Sequence, residues 1–233
     1  MENKRPIMQM YAHEYRATAE EKCKKFSSRL AIIYLIYVII TGAINSVFSY
    51  TTEFEGIKIS VSYGSILGIF VMGPFVASLI KISKKVYKGE EPQVDELFTG
   101  FKDYGNNFVL YLLQQVYIAL WSLLFVIPGI IKGYSYAMAF YIKEDNPELT
   151  ANECITKSRE MMDGHKWELF CLEFSYLGWL ILCVLTLGIL TLWVGPKMEL
   201  AKYTFYRNIS GQGLKDQPEE FEVEEDQFTI KIE

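Results

Sequence analysis

One glutamate stands at the edge of a long apolar stretch. From Phe174 to Pro196 the chain has no Asp, Glu, Lys or Arg, and Glu173 immediately precedes that run. Lys197, Glu199 and Lys202 follow it. A carboxylate about one helical turn inside a membrane is costly, and such groups tend to pair or to serve function. If the run is two antiparallel helices, Glu173 meets the far half of the second. Lys202 is then nearer to it in depth than Lys197. The chemistry open to these residues is a buried ion pair joining two helices, or a charged lining for a wet cavity. The plainer alternative is that both ends rest at an interface.

His165, Lys166 and Trp167 precede Glu173 and form a second group. A protonatable ring beside a lysine suits an anion or a lipid headgroup. The same three residues suit an interfacial anchor, with Trp in an aromatic belt and Lys extending its ammonium to water. Gln114, Gln115 and Asn45 also lie in apolar runs, where amides commonly hydrogen-bond between helices. Raw material for catalysis is scarce. The two histidines, His13 and His165, stand in different contexts, and no Gly-rich phosphate loop, HExxH, GxSxG or Asp-rich metal motif appears. Cys23, Cys154, Cys171 and Cys183 have neither zinc spacing nor a disulfide framework. The expectation is no catalytic residue, no cofactor and no metal, and hence no enzyme. The aromatic residues fit helix packing better than a nucleic-acid surface.

The elements that must position these residues are apolar helices. Hydrophobic residues make up 51% and charged residues 22%, so the charges must be segregated. No Asp, Glu, Lys or Arg occurs in Ile59–Ile80 or Tyr104–Ile131 either. A membrane-spanning helix needs about 20 largely apolar residues. Residues 30–48 and 59–80 therefore predict two spans. Residues 104–142 are too long for one, and Ile127-Pro128-Gly129 divides them into a third span over 107–127 and a short fourth over 129–142. Residues 167–187 predict the fifth and 189–206 the sixth, with a break at Gly188 and a kink at Gly195-Pro196. Pro74 should kink the second span. Between the fourth and fifth, Thr150-Ala151-Asn152-Glu153 has the form of a capping box. Ala151, Cys154, Ile155, Ser158, Met161 and Met162 follow at helical spacing, an amphipathic interfacial helix.

Cytoplasmic flanks collect Lys and Arg. In the six-span arrangement both termini are inside, and of the 23 basic residues only Lys58 and Lys132 fall outside. Five spans would put Lys197, Lys202, Arg207 and Lys215 outside. Residues 1–29, 81–106, 143–166 and 207–233 should then face the cytoplasm. The division is a cytoplasmic helical segment over 1–29, a transmembrane domain over 30–208 and an acidic disordered tail over 209–233. There is a faint internal echo: Leu67–Ile82 and Leu187–Phe205 share Leu-Gly-Ile, then Gly-Pro, then Ala near a basic end.

Several motifs carry a family resemblance. They are Pro128–Ile130, Ser135-Tyr136, Asp145–Pro147, Ser158–Trp167, Gly178-Trp179, Leu185–Ile189 and Pro196, with Gly73-Pro74 and Leu97–Phe101 upstream. Over most of residues 20–208 the chain resembles an uncharacterised bacterial integral-membrane family, catalogued as domain of unknown function 975. Lys197 and Glu199 depart from its pattern, which tends to a Tyr and small polar residues after the last Pro. The resemblance implies a bacterial cytoplasmic membrane location and a topology, but no catalytic residues.

The sequence thus reads as an all-α polytopic bundle of about six transmembrane helices with one cytoplasmic amphipathic helix. The expected role is a non-catalytic module in the lipid bilayer, a scaffold or accessory to other membrane proteins. The alternative is a transporter or permease component for a small solute or lipid.

Overall fold

The computed structural model describes residues 11–47, 49–54, 57–62 and 64–212, with the side chains of 11–44 and 68–212. The acidic tail beyond Gln212 and the side chains of Asn45 and Lys58 lie outside the described residues. Tyr15, Ala19, Cys23 and Phe26 recur every three or four residues, and they are buried. The first three lie on helix α1, Ala12–Lys24. Thr18 and Lys22, which share the spacing of Tyr11, Tyr15 and Phe26, lie on the flank of that face. Helix α2, Ser27–Val47, follows after one turn.

The loop after α2 adds a strand pair to described residues that otherwise form helices and turns. Strands β1, Ser49–Phe54, and β2, Ile57–Ser62, pair antiparallel with Ser49 opposite Ser62 and Phe54 opposite Ile57. Tyr, Thr, Ile and Val fit a pleated ribbon. Ile57, Ile59 and Val61 alternate with polar residues, the two-residue period of a strand rather than a helix. Helix α3 accordingly begins at Gly64, not at Ile59, and runs to Tyr87 with Pro74 inside it.

A 3-10 helix, Val94–Asp103, folds back along α3. One hydroxyl joins them. Ser78 Oγ donates to the Pro74 carbonyl at 3.0 Å and accepts from the Gly100 amide at 2.8 Å. Asn107 Nδ2 closes the set by donating to the Gly100 carbonyl at 2.8 Å. Buried backbone groups left unpaired cost about 1–3 kcal/mol each, so this polar knot holds the sharp turn between α3 and α4. Helix α4 is Tyr104–Leu124.

The break after α4 falls at Phe125, whose backbone is extended, and not at Pro128-Gly129. Helix α5, Val126–Tyr136, takes Pro128 into its first turn. Proline fits there because first-turn amides have no helical partner. Helix α6, Ala139–Asp145, continues after a short irregular step. That step is held by side chains: Ser158 Oγ donates to the Ser135 carbonyl at 2.9 Å and accepts from Met138 N at 3.1 Å, and Gln114 Nε2 donates to the Tyr136 carbonyl at 2.8 Å. The expected short fourth helix is therefore two helices with a supported joint.

Helix α7, Ala151–Met161, starts at the capping box formed by Thr150 and Glu153. It buries Cys154, Ile155 and Ser158, packed against α4, α5 and α6. The fifth apolar run is divided by a turn at Ser175-Tyr176 into α8, Lys166–Phe174, and α9, Leu177–Leu185. The break at Gly188 is present, with φ of 51° at Leu187 and 85° at Gly188. A positive φ suits Gly far better than Leu. Helix α10, Thr191–Ile209, then returns through the centre of the molecule against α1, α2, α3 and α8.

Three stretches among the described residues are long and apolar enough to cross a membrane: Ser27–Ile44, Val94–Leu124 and Lys166–Leu185. Their outer surfaces are apolar. Leu123–Ile127 and the turn from Val184 to Ile189 expose a concentration of large hydrophobic side chains, with Leu187 93% exposed. Exposed apolar surface on this scale marks contact with a membrane or another protein. The two Gly-Pro pairs of the internal echo mark close helix approaches. A Cβ at Gly73 would lie 2.5 Å from the Asn107 carbonyl oxygen, and one at Gly195 would lie 2.5 Å from the Tyr34 ring.

Candidate functional site

Lys197, Glu199 and Lys202 of α10 each meet a partner from a different element. Lys202 Nζ lies 2.8 Å from Glu173 Oε1, and Tyr134 OH donates to Glu173 Oε2 at 2.7 Å. Glu199 accepts from Tyr141 OH at 2.8 Å and lies within electrostatic reach of Lys202. Lys197 turns the other way and pairs with Glu20 of α1 at 2.8 Å. Of the two candidate partners for Glu173, the fold thus brings Lys202 to it and takes Lys197 away. The reason is helical phase. Lys197 and Lys202 are five residues apart, about 140° around the helix at 3.6 residues per turn, so they face different neighbours.

The row is partly desolvated. Glu173 and Lys202 retain 28% and 25% side-chain exposure. Glu20 lies at the surface, where the Lys197 ammonium holds its carboxyl below the usual carboxylate range. A cleft of about 320 Å³ opens beside this outer pair, lined by Glu20, Lys24, Trp193 and Lys197 among others.

His165, Lys166 and Trp167 do not join that row. His165 Nδ1 is 3.2 Å from Glu168 Oε1, and Lys166 reaches Asp163 at 3.8 Å. Trp167 is 70% exposed and stacks on Phe170 with ring centroids 5.0 Å apart. The three sit at the start of α8, with local partners among the described residues.

A second polar cluster was not foreseen. Asp145 at the end of α6 accepts from Lys84 Nζ at 2.8 Å and from Tyr206 OH at 2.9 Å. Glu144 lies 3.7 Å from Lys81 and 3.8 Å from Lys84. Burial raises the Glu144 carboxyl above its usual range, and the two ammonium groups oppose that shift. The sequence presents Asp145-Asn146-Pro147 only as a turn. The signal available was the row of lysines at the end of α3, which needed acidic partners somewhere. Lys143, the residue before Glu144 and Asp145, is buried and donates to the carbonyls of Pro147 and Leu149, both at 2.7 Å.

The model of a family described as a protein of unknown function (DUF975) matches this chain over residues 8–133 and 123–213. The chain belongs to the DUF975 family. The two matched stretches overlap across the α4–α5 hairpin. No curated protein and no solved structure matches the chain. Within this DUF975 chain, the motif residues occupy joints of the fold. Pro128 opens α5, Ser135 and Ser158 hold the α5–α6 step, Asp145 ties α6 to α3 and α10, and Gly164 and Gly188 take positive φ at helix ends.

Proposed function

We propose that this DUF975 chain is a non-catalytic module of the bacterial cytoplasmic membrane, a structural or accessory component to other membrane proteins. In this reading α2, α3, α4, the α5–α6 pair, the α8–α9 pair and α10 are six membrane-entering segments, and both termini are cytoplasmic. The supporting observation is the set of charged side chains on α10. Lys197, Glu199 and Lys202 are each engaged by a partner from another element, which suits a strut better than a path for solutes. The distribution of Lys and Arg supports the orientation. Helix α7 caps the cytoplasmic end of the bundle with its apolar face turned to α4–α6.

Topology is read by labelling from outside intact cells, with the native cysteines replaced by alanine. A single cysteine at Thr52 is expected to react with an impermeant maleimide, and one at Lys85 is not. Reaction at Lys85 reverses the orientation.

The role is read in liposomes. With an imposed potential and a pH-sensitive dye inside, the reconstituted chain is expected to leave proton leak at the protein-free level. A leak that disappears on Glu173→Gln would replace the module with the transporter reading.

A further inference from the structure

Lys81, Lys84 and Lys85 lie on the last two turns of α3 and Lys88 follows directly after its end, with its amide still bonded to the Lys84 carbonyl at 3.2 Å, so at i, i+3, i+4 and i+7 the four share one face. Like charges at that spacing repel, so the stripe is unfavourable without anionic company. Part of that company is in the fold. Lys84 pairs with Asp145, Lys81 with Glu144 and Lys85 with Glu96. Lys88 has no ion-pair partner among the described residues, and neither does Lys102, which approaches from the 3-10 helix. Both are exposed.

These five lysines do not form a flat patch. They line one cleft of about 440 Å³, together with Glu90, Glu96, Glu144 and Thr99. The lining has two more lysines than carboxylates, and Glu144 is a carboxyl that burial already biases towards its neutral form. A concave site with a positive excess focuses field on an anion. Ammonium groups from two elements, with a threonine hydroxyl beside them, suit a compact oxyanion with several acceptor oxygens.

We propose that this cleft binds a phosphate group, supplied by an anionic phospholipid headgroup or by a free phosphate. Lys88 and Lys102 supply the uncommitted ammonium groups, and Lys85 shares its charge between Glu96 and the ligand. The lipid source rests on the topology proposed above, which puts the end of α3 at the inner leaflet. Clustered Lys beside a membrane segment attracts anionic lipid. The free-phosphate source does not rest on it.

The test uses the full chain in two arms. In phosphatidylcholine nanodiscs, thermal stability is followed as inorganic phosphate replaces chloride at fixed ionic strength. In the second arm, native mass spectrometry counts lipid retained from mixed phosphatidylcholine and phosphatidylglycerol micelles. The expected result is a phosphate-dependent rise in Tm, selective retention of phosphatidylglycerol, or both. The arm that responds identifies the source. Lys88→Gln with Lys102→Gln should weaken the responding arm by about fivefold per lysine removed. Lys157→Gln, the loss of one lysine charge at an exposed position of α7, should leave it unaltered. Silence in both arms overturns the cleft. So does an equal loss per lysine in Lys157→Gln, which would mean attraction by overall charge. If external labelling reverses the topology but phosphate still raises Tm through Lys88 and Lys102, the cleft stands and the orientation fails.

Discussion

Glu173→Gln will lower the melting temperature of the detergent-solubilised chain, and adding Lys202→Gln will return most of the loss. The single change leaves the Lys202 ammonium at a site with 25% side-chain exposure, with Glu199 left to compensate it among the described residues. Breaking a buried pair costs about 3–5 kcal/mol, against roughly 0–1 kcal/mol for an exposed one. Partial exposure places this pair near the lower end of the buried range. The reverse single change, Lys202→Gln, should cost more. It leaves the Glu173 carboxylate without its ammonium, held by the Tyr134 hydroxyl among the described residues, and removes the positive charge that Glu173 shares with Glu199. The double variant removes both charges, and Tyr134 can still donate to the amide oxygen that replaces the carboxylate. Additive losses would show that the two residues do not act as a pair.

That pair was within reach of the sequence because depth is a one-dimensional quantity. The position of Glu173 before one apolar run and of Lys202 after the next break sufficed to match their levels. The other partners needed three dimensions. Nothing along the chain ties Glu20 to Lys197, since α1 carries no apolar run and its place against α10 depends on packing by Tyr15, Ala19 and Cys23. Tyr141 and Tyr134 carry no signal of their own in the sequence, yet their hydroxyls serve Glu199 and Glu173. Helix breaks were legible where a special residue enforces them, as at Gly188. They were displaced where proline could sit inside the next helix, as at Pro128. The hairpin after α2 was missed because its second strand is apolar enough to extend the reading of the following helix.

Gly100→Ala will abolish the folded state or come close to it, while Gly105→Ala, five residues on, will be neutral or mildly stabilising. Gly100 is buried where the 3-10 helix crosses Pro74 of α3. A Cβ there would overlap the Pro74 carbonyl oxygen and lie 2.8 Å from Ser78 Oγ. Both obstacles are fixed. One is backbone inside a helix, and the other is the hydroxyl that accepts the Gly100 amide. Relief therefore requires the two elements to separate, which breaks the hydrogen bonds through Ser78 and Asn107 together. Overpacking alone costs about 1–3 kcal/mol, and each buried backbone group left unpaired adds about 1–3 kcal/mol. The total rivals the whole stability of a typical domain, about 5–15 kcal/mol. At Gly105 an added Cβ meets nothing within 4 Å, and the residue lies in the first turn of α4. Alanine is favoured over glycine in helices by up to about 1 kcal/mol. Thermal melts of the two variants in the same detergent make the comparison. Equal stability would mean that the 3-10 helix does not pack on α3 at Pro74, and the lysine cleft built between those elements would lose its second wall.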